Sequence, residues 1–203
     1  EINFTMSDLS LWRMLGDSSV TALAVSSGAI VDMTQYDDYQ QLEISELSGS
    51  GGEFIMKTDL ASETDGDKLY VTDAAAGTSQ FVQVNDVSII NGAVVTGDKK
   101  LLLITDASKN VEFIGKNLNN GGLWDITPTL ENGLAVGGSE EEWYLTKLRK
   151  EANNDTSVLL GAADNAYAMW RNTNDTMRQR LGDLRHNKIN EGDGLWTRYT
   201  GGR

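Results

Sequence analysis

The amino-acid sequence predicts an all-β body followed by a single long α-helix, on the basis of two periodicities and one charge asymmetry. From Val20 to Leu148, short apolar or alternating runs recur about every ten to thirteen residues, with glycine, asparagine and aspartate between them. Beyond Arg149, apolar residues recur instead at every third or fourth position, which is typical of an amphipathic helix. The segment from Asn165 to Arg203 carries 7 basic and 4 acidic residues, leaving 10 basic and 26 acidic residues before it.

The strand-like runs fit two architectures. In chain order they read VTALAV, AIVDM, LEISEL, EFIMKT, KLYVT, FVQV, LLLIT, VEFIG, LWDIT and WYLTKL. Such spacing suits an antiparallel β-sandwich as well as a parallel β-solenoid. Three similar apolar triplets favour the solenoid, because stacked coils repeat their inward residues; they are Val20, Leu23, Val25, then Ile30, Val31, Met33, then Leu42, Ile44, Leu47. A β-sandwich binding module with a helical tail stays the alternative, and it predicts antiparallel strand pairing.

The helix is predicted from Ser157 to Arg185, a length of about 43 Å at about 1.5 Å per residue. Asp155, Thr156 and Ser157 all offer side-chain oxygens for its N-cap. One stripe of the helix is apolar and rich in alanine: Leu159, Ala162, Ala163, Ala166, Met169, Trp170, Met177, Leu181 and Leu184. The later run LWTRYT alternates like a strand, which needs a sheet to pair its backbone groups.

Composition excludes several classes of function. Lysine and arginine number 17 against 30 acidic residues, a net charge of -13, which argues against binding of nucleic acid by the body. The chain has no cysteine and one histidine, so disulfides, thiolate metal sites and multi-histidine sites are excluded. No apolar run is long enough for a transmembrane helix, and the first residues lack the layout of a signal peptide. We expect the chain to be a piece of a longer protein.

Several motifs, in this order, resemble the carboxy-terminal part of an autotransporter passenger with its linker, from the type V secretion family of Gram-negative bacteria. SSVTALAVSSGAIVDM and YQQLEISELSGSGGEFIMKTDL are similar to the last coils of a passenger β-helix. GDKLYVT, KLLLITD and EEWYLTKL resemble the pertactin-like segment that caps it, the autochaperone region. QRLGDLR from Gln179 to Arg185, followed by GLWTRYTGG from Gly194 to Gly202, resembles the pore helix running into the first barrel strand.

The resemblance implies a right-handed parallel β-helix with a C-terminal cap, then one long helix. It divides the chain into the last passenger coils (residues 1–48), the cap (49–149), the linker with the pore helix (150–191) and the start of a barrel strand (192–203). It also implies a location at the outer membrane and cell surface, with the passenger extracellular. The expected partners are the protein's own C-terminal β-barrel, the outer membrane through that barrel, and a host surface; no cofactor, metal or nucleic acid is expected.

The implied function is to promote folding, secretion and surface display of the passenger, without enzymatic activity. On this view the chain crosses the membrane unfolded, and a stable cap emerges first and templates the coils behind it. Two alternatives stay open. One is an adhesin stalk that itself binds host or bacterial surfaces, which exposed apolar ladders on the coils would favour. The other is the stalk of an upstream protease domain.

Catalytic and metal-binding motifs are weak in this sequence. Gly16, Asp17 and Ser18 spell the start of some serine hydrolase motifs, but the one histidine, His186, lies beyond the helix, so a β-turn is the better interpretation. The acidic runs TDGD (Thr64 to Asp67), DDY (Asp37 to Tyr39) and EEE (Glu140 to Glu142) lack calcium-loop spacing and are interpreted as solvated loops. Glu140 to Glu142 are also expected to keep the edge of the cap from pairing with another chain.

Two further sets of residues have a structural and a functional interpretation. Phe113, Trp124, Trp143 and Tyr144 could form a sugar-binding platform, although aromatic residues alternating in strands more often pack a core. Some autotransporters release the passenger by cleaving their pore helix between two asparagines. The matching positions here are Asp175 and Thr176, next to Asn174, so a linker cleavage site at these three residues is a hypothesis that the missing asparagine nucleophile weakens.

Overall fold

The computed structural model describes residues 1–90, 99–118 and 124–186. The chain divides into two units, Glu1–Asn153 and Asn154–Arg203. The described residues of the first unit are mainly short β-strands, and those of the second form one helix.

Twelve strands are present in the described residues of the first unit. They are β1 (Asn3–Met6), β2 (Leu11–Arg13), β3 (Ser18–Val25), β4 (Ile30–Asp32), β5 (Gln41–Ser48), β6 (Glu53–Thr58), β7 (Lys68–Ala74), β8 (Thr78–Asp86), β9 (Leu101–Asp106), β10 (Val111–Gly115), β11 (Trp124–Asn132) and β12 (Glu142–Ala152). Two helices of four residues interrupt them, α1 (Val87–Ile90) and α2 (Gly133–Val136).

Successive strands alternate between two sheets. The first sheet has the order β1-β3-β5-β7-β9-β12-β11, and the second has the order β10-β8-β6-β4-β2. Each coil of the chain therefore places one strand in each sheet, and every pair within the coils is parallel. The prediction of a mostly β chain with parallel stacked coils is confirmed. The antiparallel sandwich is wrong, because antiparallel pairing between strands is confined to β9–β12 and β12–β11 among the described residues.

The core consists of columns of apolar side chains that repeat from coil to coil. In the first sheet, Val20 pairs with Ile44, which pairs with Val71, and all three are buried. Of the nine residues in the predicted triplets, only Ile30 is not fully buried. Burying a Val, Leu or Ile side chain is worth about 1.5–3 kcal/mol, so most of the stability of each coil comes from stacking on its neighbours.

The described part of the second unit is α3, which extends from Asn154 to His186. Apolar side chains are exposed along it, including Val158, Leu159, Met169 and Met177, and the rings of Tyr167 and Trp170 stack with centroids 6.1 Å apart. The predicted range Ser157–Arg185 falls inside α3, while α1 and α2 mean that the chain has further, short helices. Among the described residues, no helix combines the length and the apolar character needed to cross a bilayer.

Candidate functional site

The two ends of the coil stack differ in the described residues of the first unit. One end is formed by β1 and β2, each the outermost strand of its sheet. Phe4 on β1 pairs with the buried Leu23, and Trp12 on β2 pairs with the buried Val31. Phe4 and Trp12 therefore continue the interior columns of the stack. Their rings stack on each other with centroids 5.2 Å apart.

This end exposes its apolar surface. Phe4 is 43% exposed although it belongs to an interior column, and Leu9 and Leu15 in the connections of the first coil are 96% and 74% exposed. We call the surface of β1, β2 and these connections the open end. The sequence offered no assignment for Trp12, because it lies before the regular runs. The alternation in Leu-Trp-Arg was the one available signal for a strand there.

The opposite end is closed by an antiparallel hairpin. β12 lies between β9 and β11 and pairs with both in the antiparallel sense, so the first sheet does not stop on a parallel strand there. Residues after β10 also connect to the hairpin, since Leu118 bridges to Ile126. The hairpin β11–β12 is thus joined to both sheets of the stack. We call it the closing hairpin.

Close packing fixes the closing hairpin on the last coil. A Cβ atom on Gly115, at the end of β10, would lie 2.0 Å from the carbonyl oxygen of Pro128 on β11, so only glycine fits there. Pro128 is buried at this contact. Phe113 meets Trp143 of β12 edge to face, with ring centroids 5.7 Å apart. These contacts hold the hairpin by shape and by apolar burial.

The role expected for Glu140 to Glu142 is wrong. Glu142 begins β12, an interior strand of its sheet, and Glu140 and Glu141 lie in the turn just before it, where the Glu141 carbonyl accepts the Asp106 amide of β9, so these residues do not lie at a sheet edge. Glu140 and Glu141 instead lie 3.3 and 3.6 Å from the ammonium group of Lys109, and the hydrogen bond to Glu140 raises the pKa of that lysine. Glu142 accepts hydrogen bonds from the Ser139 amide at 2.6 Å and from the Tyr144 hydroxyl at 3.0 Å.

Aspartates at the corners of the coils are buried, which corrects the interpretation of TDGD as a solvated loop at Asp67, while Thr64 and Asp65 are exposed as expected. Asp67 is fully buried and accepts the backbone N–H of Gln40 at 2.8 Å and of Lys57 at 2.6 Å. Burial is the largest influence on this carboxyl group and raises its pKa from 3.8 to about 6, against the lowering effect of the two N–H donors. Asp86 and Asp106 are buried in the same way and accept N–H groups of Leu60 and Val111.

The other candidate residues are not brought together into a reactive arrangement. The Ser18 hydroxyl donates to the Gly16 carbonyl at 3.1 Å, and an Asp17 carboxylate oxygen accepts the Gln41 amide at 2.8 Å. His186 is the last residue of α3, and its side chain lies outside the described residues. Within the described ranges, no three acidic or histidine side chains converge as metal ligands.

The aromatic residues and the hypothetical cleavage site fall in regular elements. Phe113 is buried and Trp143 packs on the core, which favours packing over a sugar platform for these two. Trp124 begins β11, but its side chain is outside the described residues. Asn174, Asp175 and Thr176 lie within α3, and the side chains of the latter two are not described. Linker cleavage therefore stays a hypothesis.

Comparisons with known proteins agree with this architecture. The family model described as Pertactin matches residues 20–147, a range that begins within β3 and includes β4 to β10 and most of the closing hairpin. Over 98% of its length, the chain is 27% identical to the protein described as Autotransporter CRAC from Citrobacter rodentium (strain ICC168). It spans 13% of the length of that relative.

The chain belongs to the pertactin family, because that match covers more than half of its residues. The resemblance to the passenger region of an autotransporter, which the sequence motifs indicated, is confirmed.

Proposed function

We propose that this chain is the C-terminal passenger segment of an outer-membrane autotransporter and that it promotes folding, secretion and surface display of the passenger, without enzymatic activity. The observation that carries the proposal is the asymmetry between the open end and the closing hairpin. A stack that is apolar at one end and closed at the other can add coils in one direction only. A passenger emerging from its C-terminal side would then find a folded template ready for each new coil.

The proposal includes the handedness and location that the family resemblance implies. A parallel crossover between strands is right-handed in about 98% of cases, which supports a right-handed coil. The cell surface is the proposed location, with a C-terminal β-barrel and the outer membrane as partners. Deposition of each coil on the open end would remove Phe4, Trp12 and their exposed neighbours from water, which supplies a driving force for folding outside the cell.

A chimeric autotransporter tests the proposal. The matching segment of the Citrobacter rodentium relative is replaced by this chain, and the passenger on intact cells is measured by its accessibility to added protease. Gly115→Ala should lower display several-fold, because the new methyl group collides with the Pro128 carbonyl and displaces the closing hairpin. Gly16→Ala is the matched control, since nothing lies within 4 Å of that position.

The chimera also gives the result that would contradict the proposal. If Gly115→Ala abolishes protection of the hairpin amides in the purified chain but leaves display unchanged, the closed end is not needed for secretion.

A second candidate function is adhesion through the body itself. It is favoured by a ladder of outward-facing side chains on the second sheet, which contains Leu11, Ile30, Phe81 and Ile114 around Glu53. Adherence of displaying cells is its readout.

A further inference from the structure

A cavity of about 250 Å³ lies beside the closing hairpin and is lined mainly by basic and polar residues. Its walls come from the segment before β9, from β11 and β12, and from α2: Lys99, Lys100, Glu131, Val136, Thr146 and Lys147. We propose that this cavity is a binding site for a phosphate-type oxyanion. Neither the family match nor the proposed role in secretion assigns a ligand to it.

A β-bulge builds the wall that carries Thr146 and Lys147. The register between β11 and β12 shifts between Thr129 and Leu130, so that Thr146 is the extra residue on β12. Neighbouring strand residues ordinarily point to opposite faces, yet Thr146 and Lys147 both line the cavity. Bulges re-aim side chains in this way beside functional sites. The Thr146 hydroxyl is buried and makes only a long contact of 3.5 Å to the Thr129 carbonyl, so it can turn toward a ligand.

Two of the lysines are held in place by contacts that leave donors free. The Lys99 ammonium group lies 2.8 Å from a Glu63 carboxylate oxygen, and the other oxygen accepts the Lys100 amide at 3.2 Å. The Lys100 ammonium group donates to the Val136 carbonyl at 2.7 Å. An ammonium group has three N–H donors, so each lysine keeps donors for an anion. Among the described residues, Lys147 forms no ion pair.

The charge of this region differs from that of the coils before it. Residues 1–98 carry 3 basic and 16 acidic side chains, whereas residues 99–153 carry 7 and 8. Three lysines and one glutamate, Glu131, contribute to the cavity wall, while Glu63 lies against Lys99. A phosphate group brings up to two negative charges and three strong acceptor oxygens. As a ligand it therefore matches three lysines and a hydroxyl better than a ligand with a single carboxylate group would.

The proposal is tested by titrating the 203-residue chain with inorganic phosphate at constant ionic strength while backbone amide resonances are followed by NMR. Saturable shifts are expected at Thr146 and Lys147. Lys147→Ala should weaken binding by about tenfold or more, because a hydrogen bond to a charged group is lost. Lys150→Ala removes the same charge from the same strand outside the cavity and should change the affinity by less than about twofold. Lys147→Arg should retain most of the affinity for phosphate.

A free phosphate ester and a lipid headgroup share this chemistry, so vesicles form a second arm of the experiment. The site is assigned to a lipid phosphate if the chain binds phosphatidic acid vesicles but not phosphatidylcholine vesicles, and binds free phosphate poorly. This vesicle binding should be lost in Lys147→Ala. Two results would overturn the proposal. One is the absence of any response to both probes at millimolar phosphate. The other is equal weakening by Lys147→Ala and Lys150→Ala, which would mean that only general charge attracts the anion.

Discussion

At the scale of single residues, three of the 30 acidic residues lie buried at the corners of the stacked coils. Asp67, Asp86 and Asp106 are buried where strands meet turns, and each accepts at least one backbone N–H that would otherwise be unpaired. The sequence could not reveal this role. An aspartate between two strands has the same local pattern whether it points into a corner or into water, and only the neighbouring coil decides which.

The pKa of Asp67 predicts a pH dependence of stability. Its folded pKa of about 6 lies above the ordinary 3.8, so between these values the folded chain holds a proton that the unfolded chain has released. Stability from this group is therefore greatest below about pH 4 and is lost as the pH rises through 6, by up to about 3 kcal/mol. Urea unfolding at pH 4 to 7 should show this loss relative to Asp67→Asn, which cannot ionise.

Asp73→Asn is the control for this measurement, because Asp73 is an exposed aspartate on β7. It should leave the pH dependence as it is in the wild type. If the unfolding free energies of wild type and Asp67→Asn run parallel over the whole pH range, the Asp67 carboxyl group is not desolvated in the folded chain.

At the scale of elements, the closing hairpin is the part that sequence reasoning defined least well. The runs LWDIT and WYLTKL correctly indicated strands, now β11 and β12, but nothing in them specified antiparallel pairing. The small helix α2 and the bulge opposite Thr129 were also missed. The direction of a strand and the position of its bulges depend on the strand with which it pairs. For β12 one such partner is β9, which is about forty residues away along the chain.

Pro128 contributes to the stability of the contact between the closing hairpin and the last coil. A proline has no N–H, so β11 has no donor to satisfy at the buried point where it meets Gly115. Pro128→Ala should lower the free energy of unfolding by about 2 kcal/mol, because it leaves a buried N–H unpaired and removes ring contacts. Thr127→Ala, at the half-buried neighbouring position, should cost less in the same urea measurement. Equal effects of the two substitutions would mean that water reaches β11 at this point.

At the scale of the whole first unit, stacked coils should not be equally stable. A coil gains free energy from each neighbour, and the first coil, with β1 and β2, has a described neighbour on one side only. We therefore expect amides of β1 and β2 to exchange with solvent fastest among the strands, and those of β5 to β8 slowest. β12 should also be well protected although it is late in the chain, because it has a partner strand on both sides. Native-state hydrogen exchange measures this order, and uniform protection would contradict it.

The overall architecture was only partly accessible from the sequence. Periodicity separated the strands from the helical tail, and the triplets beginning at Val20 indicated shared columns. The alternation of strands between two sheets required the pairing itself, because an inward residue looks the same in a sandwich and in a solenoid. Residues 1–48 were assigned to coils, but the strands of the first coil were not identified, since Phe4 and Trp12 precede the regular runs and belong to strands of four and three residues.

The unlike ends also determine how copies of the chain can associate. Filaments grow when one face of a molecule fits a different face of the next copy, so that the contact repeats without limit. In the coil stack of the first unit, the open end exposes apolar residues and the opposite end is covered by the closing hairpin. Two open ends can meet face to face about a twofold axis, and both apolar surfaces are then buried in the contact. Contact through two open ends alone therefore gives a closed pair.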